Sequence, residues 1–157
     1  MSVAFRREGD EEHLEPKFEL PIPPGPNLVT SRGLALIQAK VAALEAGLHT
    51  LTDEAAITAA RRELRYWRTR QATAQLVAQP DGACVAFGCT VTLKMNDRQR
   101  VITIVGDDEA QPTRGLLAFS APLCRAIMDA EEGEQVAFAG KNDVIEIIAV
   151  NASSSHT

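Results

Sequence analysis

Apolar residues recur between residues 30 and 79 at the three- and four-residue spacing of an α-helix. They form two stripes of the coiled-coil type, separated near Gly47. Two such stripes joined by a tight turn predict an antiparallel helical hairpin. Thr30 or Ser31 is expected to cap its first helix and Thr52 its second. The stripe positions are Leu34, Ile37, Val41, Leu44, Leu48 and Leu51, then Ile57, Ala60, Leu64, Trp67, Gln71 and Ala74.

After residue 80 the pattern changes to the two-residue alternation of β-strands. Cys89, Val91 and Leu93 alternate with polar residues, and Arg100–Val105 is expected to return after a turn at Asn96. The other expected elements are a short strand (Leu116–Phe119), a short helix (about Pro122–Ala130) and a last hairpin (Gln135–Ala139 with Asp143–Val150).

This order of elements predicts an α+β protein. Five prolines between Pro16 and Pro26 disfavour regular structure near the start, and we expect disorder over most of residues 1–15. We therefore divide the chain into an extended or disordered tail (1–29), a helical hairpin (30–79), a β domain (80–150) and a disordered tail (151–157).

Composition narrows the class of protein. The 157 residues are 45% hydrophobic and 24% charged, which is ordinary for a globular chain. No apolar run approaches the roughly 18 residues of a membrane span, and the first residues lack the apolar core of a signal peptide. Three cysteines without CxxC spacing suit a reducing compartment. We expect a cytoplasmic protein without a membrane segment, metal site or cofactor.

Charge is unevenly distributed. Residues 30–79 carry seven basic and four acidic side chains, whereas residues 80–157 carry six basic and eleven acidic ones. Arg61, Arg65 and Arg68 fall on one helical face. That face is either a contact for nucleic-acid phosphates or an ordinary solvated helix surface.

Three consecutive carboxylates, Asp107, Asp108 and Glu109, follow the strand that ends at Val105. The sequence then reaches the expected helix start at Ser120-Ala121-Pro122. Since loop residues on a rigid scaffold are disproportionately functional, this acidic loop is the candidate binding site of the β domain.

Four motifs resemble the bacterial Gre family of transcription elongation factors over about residues 28–150. They are Leu28-Val29-Thr30-x-x-Gly33-Leu34, Phe87-Gly88-x-Thr90-Val91-Thr92, Ile104-Val105-Gly106-Asp107-Asp108-Glu109-Ala110 and Pro122-Leu123-x-Arg125-Ala126. The resemblance implies an N-terminal coiled coil and an FKBP-like antiparallel β domain with one short helix. It also implies docking of that domain at the rim of the secondary channel of RNA polymerase. The implied docking residues are Asp107, Asp108, Glu109, Ser120, Pro122 and Arg125.

Two departures from the family pattern bear on function. Gre cleavage factors carry the motif GDxxENAxY at the hairpin tip, whereas this chain has only Asp53 and Glu54 near its tip, on a shorter hairpin. Ala121 also replaces the usual serine before Pro122, so Ser120 is expected to cap the short helix one residue earlier. We therefore expect a non-enzymatic polymerase regulator, similar to the short-armed Rnk type, that does not stimulate transcript cleavage.

Two alternatives stay open at this point. One is a cleavage factor that acts through Asp53 and Glu54. The other, from a different class, is an FKBP-like peptidyl-prolyl isomerase, which requires an aromatic pocket. Phe87, Phe119 and Phe138 are the only aromatic residues of the β domain.

Overall fold

The computed structural model of this chain describes residues 19–138 and 141–152. The stretch predicted to be disordered at the start, residues 1–15, lies outside the described residues, as do residues 153–157. The helices are α1 (Ser31–Leu48), α2 (Glu54–Thr73) and α3 (Pro122–Ile127), and the strands are β1 (Leu28–Val29), β2 (Gln75–Leu76), β3 (Cys89–Met95), β4 (Arg98–Val105), β5 (Leu116–Ala118), β6 (Gln135–Phe138) and β7 (Lys141–Ala152).

The chain forms two compact units whose boundaries differ from the expected ones. The first unit comprises residues 19–25 and 37–73 of the described chain, and the second comprises residues 26–36 together with everything described from residue 74 onward. The first turns of α1 thus belong to the unit that contains the β-sheet.

The first unit contains the paired helices. Arg68 of α2 forms a 2.7 Å salt bridge with Glu45 of α1, and Lys40 lies 5.7 Å from the ring centroid of Trp67. At 1.5 Å per residue, α1 and α2 are about 27 and 30 Å long. None of the described helices has both the length and the hydropathy needed to cross a membrane.

Burial along the helices follows the predicted stripes with one difference. Ile37, Val41 and Leu64 are buried, as helical periodicity predicts. Near the end of α2, however, Gln71 is exposed and Arg70 is only 1% exposed. The predicted stripe position at Gln71 is therefore wrong by one residue, because an arginine was treated as a surface residue.

The second unit is built on a five-stranded sheet of order β5-β4-β3-β7-β6. The β3–β4 hairpin turns at Asn96 and Asp97, both with positive φ, as a two-residue hairpin turn requires. The core on the inner face is formed by buried aliphatic side chains of the sheet and by the inward face of α3, which contributes Leu123, Cys124 and Ile127.

An antiparallel sheet packed on one short helix is thus confirmed, but two details differ. Edge strand β5 runs parallel to β4, because the turn at Pro112–Arg114 returns the chain in the direction of β4. Helix α3 ends at Ile127 and not near Ala130, because the amide of Asp129 and the carbonyl of Ala130 both pair with Val85.

Ordered structure also begins earlier and ends later than expected. Leu28–Val29, assigned to the N-terminal tail from the sequence, pairs in parallel with Gln75–Leu76 as a small ribbon. Strand β7 continues to Ala152, so the first two residues of the predicted C-terminal tail belong to the sheet. The ribbon places the start of α1 in the second unit.

Candidate functional site

The acidic loop begins where β4 ends. Gly106 follows Val105, and the amide of Glu109 closes a turn by donating to the carbonyl of Gly106 at 3.2 Å. A side chain at Gly106 would collide with the carbonyl oxygen of Leu28, so this position requires glycine. Asp107 and Asp108 lie between these two points and are half-buried.

Glu109 does not face outward with the two aspartates. Its side chain is only 4% exposed. Thr30 Oγ1 donates to its Oε1 at 2.7 Å, and Arg32 Nη1 donates to its Oε2 at 2.9 Å. The expected docking role is therefore corrected for this residue, because a carboxylate that is bonded inward on both oxygens does not reach a partner.

Thr30 has two roles at the start of α1. Its Oγ1 accepts a 3.0 Å hydrogen bond from the amide of Gly33, which makes it the N-cap as predicted. The same hydroxyl donates its proton to Glu109. Sequence reasoning found the cap but missed the Glu109 contact, because nothing local connects residues 30 and 109.

Ser120 lies against the acidic loop and not over the helix. Its Oγ donates to Oδ1 of Asp107 at 2.7 Å. The N-cap of α3 is Ala121, which makes no side-chain cap hydrogen bond. The expectation that Ser120 caps α3 is therefore wrong, because its hydroxyl is used by Asp107.

The exposed surface beside this contact comes from α3. Pro122 and Arg125 are both exposed and are three residues apart, so they share one face of the helix. The structure thus brings together Asp107 and Ser120, with Pro122 and Arg125 on the helix that follows. Asp108 belongs to the same loop, whereas Glu109 points into the protein.

The carboxylates near the hairpin turn have a local explanation. Asp53 Oδ2 accepts a 2.9 Å hydrogen bond from the amide of Ala56. Asp53 is therefore the N-cap of α2, a role that the sequence analysis gave to Thr52, while Glu54 is exposed in the first helical turn. Among the described residues, no group of three potential metal-ligating side chains is close enough to hold an ion.

The basic face of α2 is exposed, but two of its three arginines are paired within the first unit. Arg65 contacts Glu19 through hydrogen bonds of 3.0 and 2.6 Å, and Arg68 contacts Glu45. The hydrogen bonds from Arg65 lower the pKa of the Glu19 carboxyl. No salt bridge is found for Arg61 within the described chain.

Two of the three aromatic residues of the second unit pack against each other. The rings of Phe87 and Phe119 meet edge to face, with centroids 5.6 Å apart, and Phe87 belongs to the core. A groove in the same unit has Phe87 as its single aromatic lining residue. This groove is therefore not an aromatic-lined proline pocket.

Comparison with known proteins identifies relatives. The sequence profile of the family described as "Transcription elongation factor, GreA/GreB, C-term" matches residues 79–152. Transcription elongation factor GreA of Desulfovibrio desulfuricans is 34% identical over 112 residues, which span 64% of this chain and 68% of that protein. GreA of Allorhizobium ampelinum is 35% identical over 79 residues, and there the chain spans 50% of the relative's length.

Solved structures with similar folds include the Gfh1 protein of Thermus thermophilus, at 13% identity and a TM-score of 0.39, covering 82% of this chain and 100% of that one. GreA/GreB from Nitrosomonas europaea is 17% identical at a TM-score of 0.38, covering 82% and 99%. These TM-scores are too low to add to the assignment, which rests on the sequence relatives. With a relative 34% identical over two thirds of its length and a profile that matches the β unit, the chain belongs to the GreA/GreB family of transcription elongation factors.

Proposed function

We propose that this protein regulates transcription elongation by binding RNA polymerase at the rim of its secondary channel, without stimulating transcript cleavage. The observation that carries the proposal is the contact between Ser120 and Asp107, beside the exposed Pro122 and Arg125. It presents a fixed carboxylate and a rigid proline on the unit that matches the family profile. Such a factor works in the cytoplasm, where the polymerase is.

Charge supports the choice of this surface. Residues 80–157 carry a net charge of −5, and two half-buried aspartates lie in the acidic loop. A basic feature on the polymerase is the complementary partner. Electrostatic complementarity of this kind sets the orientation of the complex and accelerates association.

The chemistry of the hairpin turn supports the proposal that the protein does not stimulate cleavage. Hydrolysis with two metal ions requires oxygen ligands that converge on a second cation. Asp53 already accepts a hydrogen bond from the helix it caps, and the adjacent Glu54 points elsewhere because neighbouring helical positions do not face each other. This disfavours the alternative of a cleavage factor acting through these two residues.

The basic face of α2 is proposed as a secondary contact with nucleic acid in the transcription complex. Arg61 is the best candidate, since it is exposed and Arg65 and Arg68 already contact carboxylates. The isomerase alternative is not favoured by any contact in the described residues, because Phe87 and Phe119 are used in packing.

The test is the affinity of the cognate RNA polymerase for the double variant Asp107→Asn/Asp108→Asn. We expect the affinity to fall roughly tenfold at low salt, equivalent to about 1.4 kcal/mol, with a smaller loss at high salt because salt screens exposed charges. The matched control is Asp97→Asn/Asp129→Asn, which removes the same charge from exposed positions of the same unit. Both control positions have positive φ, which asparagine tolerates. Equal affinities of the wild type and the acidic-loop variant would refute the docking site.

A further inference from the structure

The three carboxylates of the acidic loop are divided between the surface and the interior. Glu109 is 4% exposed, and both of its oxygens accept hydrogen bonds from the start of α1, namely from Thr30 and Arg32. A residue so enclosed makes no direct contact with a polymerase. Its carboxylate is nevertheless firmly held, because it combines a hydroxyl hydrogen bond with an ion pair.

Two glycines allow the acidic loop to lie close to the start of α1: Gly33 in the helix and Gly106 at the start of the loop. A Cβ at Gly33 would lie 2.8 Å from Glu109 Oε1, and a Cβ at Gly106 would collide with the carbonyl of Leu28. Residues 28–33 and the acidic loop are therefore in van der Waals contact at two separate points. A larger residue at Gly106 would force the two backbones apart, whereas at Gly33 it would displace the end of the Glu109 side chain from its position beside Thr30.

These contacts constrain the two aspartates from both ends. On one side Gly106 directly follows strand β4 and lies close to the backbone of Leu28, and on the other side Glu109 is hydrogen-bonded to Thr30 and Arg32. Only Asp107 and Asp108 lie between the anchors. A two-residue span between such ends has little backbone freedom, so the anchors restrict the directions in which its carboxylates can point.

We propose that Glu109 is a positioning residue for polymerase docking. Through Thr30 and Arg32 it holds the acidic loop in the conformation that presents Asp107 and Asp108 to the polymerase. This inference rests on the proposed function of the loop. Its physical basis is preorganisation: a loop that is already ordered does not lose that conformational freedom when it binds.

A purely structural role for Glu109 makes a different prediction. If the carboxylate only stabilised the fold, its loss would lower the thermal midpoint and leave the affinity of the folded protein for polymerase unchanged. If it positions the loop, the affinity falls even at temperatures where all variants are fully folded. The two roles also differ in a second respect. Only a positioning role makes the effect of Glu109 on affinity depend on the presence of Asp107 and Asp108.

The experiment compares polymerase affinity for the wild type, Glu109→Gln, Asp107→Asn/Asp108→Asn and the triple variant, well below their thermal midpoints. Glutamine keeps the acceptor for Thr30 and loses the ion pair with Arg32. We expect Glu109→Gln to weaken binding three- to tenfold with an unchanged salt dependence. In the triple variant, Glu109→Gln should weaken binding less than twofold further, because there is no longer a charge to position.

Arg32→Gln separates positioning from charge. Its side chain is 47% exposed, so its replacement is expected to leave the fold intact. It makes the protein more negative, which by electrostatics alone would strengthen binding to a basic partner. If Glu109 positions the loop, Arg32→Gln should instead lower the affinity for polymerase, by about as much as Glu109→Gln does. If Glu109→Gln does not fold, the sign of the Arg32→Gln effect decides the question.

The outcomes separate this inference from the proposed function. If the double aspartate variant binds as tightly as the wild type, the proposed docking site fails. If that variant binds weakly while Glu109→Gln and Arg32→Gln bind normally, the docking site stands and the positioning role is overturned. Additive losses in the triple variant would overturn it as well.

Discussion

The hydroxyl of Ser120 donates a 2.7 Å hydrogen bond to Oδ1 of Asp107, thirteen residues earlier in the chain. The bond joins the acidic loop to the residue that precedes the N-cap of α3. Helix α3 begins at Pro122, and its N-cap, Ala121, makes no side-chain hydrogen bond. Its stability comes instead from Leu123, Cys124 and Ile127, which are buried in the core. The Ser120 hydroxyl, which was expected to cap α3, instead orients the carboxylate of Asp107.

Ser120→Ala should therefore affect binding more than folding. The bond is exposed, and a hydrogen bond contributes roughly 1 kcal/mol, so we expect the affinity for polymerase to fall two- to fivefold. The thermal midpoint should change by only a few degrees. Isothermal binding measurements on Ser120→Ala and on Thr113→Ala, an exposed hydroxyl elsewhere in the unit, provide the comparison. A loss of the same size in Thr113→Ala would contradict a specific role for Ser120.

Much of the fold follows from local patterns. The stripes correctly placed Ile37, Val41 and Leu64 among the buried helical positions, because a three- and four-residue repeat marks the inward face of a helix. The turn at Asn96 and Asp97 was predictable for a different reason, since both residue types tolerate positive φ. Each of these signals is contained within a few consecutive residues.

The candidate site depends on contacts that no local pattern contains. Asp107, Asp108 and Glu109 are consecutive acidic residues, and only the packing of Thr30 and Arg32 on the loop shows that the third points inward. The register error at Gln71 has the same origin, because Arg70 is buried by tertiary contacts. A useful signal was present in Gly33 and Gly106, which mark close approach, but glycine does not identify what approaches.

The cap of α2 can be tested by comparing two neighbouring residues. Asp53→Ala should destabilise the protein by about 1 kcal/mol, because the amide of Ala56 loses its acceptor. Thr52→Ala should have little effect, since the structure gives Thr52 no cap hydrogen bond among the described residues. Urea unfolding monitored by circular dichroism measures both. A larger loss for Thr52→Ala would show that the cap is assigned to the wrong residue.

The arginine face of α2 should contribute more to association than to folding. Arg65 and Arg68 form ion pairs at the exposed surface, where solvent screens the charges and such pairs contribute little to stability. Changing Arg61, Arg65 and Arg68 to glutamine should therefore leave the thermal midpoint nearly unchanged while reducing binding to a transcribing complex. Affinity for polymerase without nucleic acid serves as the control. A large fall in the midpoint would identify the face as structural.

The buried thiol of Cys124 should make stability depend on alkaline pH. Burial raises the pKa of this thiol to about 11, from an ordinary value of 9.0. As the pH rises, the Cys124 thiol therefore loses its proton at a lower pH in the unfolded chain than in the folded protein. The stabilising effect is complete below about pH 8.5 and is lost as the pH rises from 9 to 11, on the order of 1 kcal/mol by pH 10.

The measurement is the urea midpoint at pH 8 and pH 10 for the wild type and for Cys124→Ala. The absolute stabilities will differ because alanine leaves a cavity in the core, so the comparison is between the two pH dependences. We expect the wild type to lose more stability than the variant over this interval. Parallel losses would mean that Cys124 does not titrate differently in the folded and unfolded states.

The last prediction is that the protein does not stimulate transcript cleavage. The chain lacks the GDxxENAxY tip motif, Asp53 is engaged by the amide of Ala56, and no described cluster of side chains could hold a metal ion. In a backtracked elongation complex with end-labelled RNA and Mg²⁺, we expect no shortening of the transcript beyond the polymerase's own rate. When a cleavage-competent Gre factor is present, adding this protein should slow cleavage, because both would occupy the same docking site. The variant Asp107→Asn/Asp108→Asn should compete less well, which ties the inhibition to the acidic loop. Rapid cleavage by this protein that disappears in Asp53→Ala/Glu54→Ala would instead assign the chemistry to the hairpin turn.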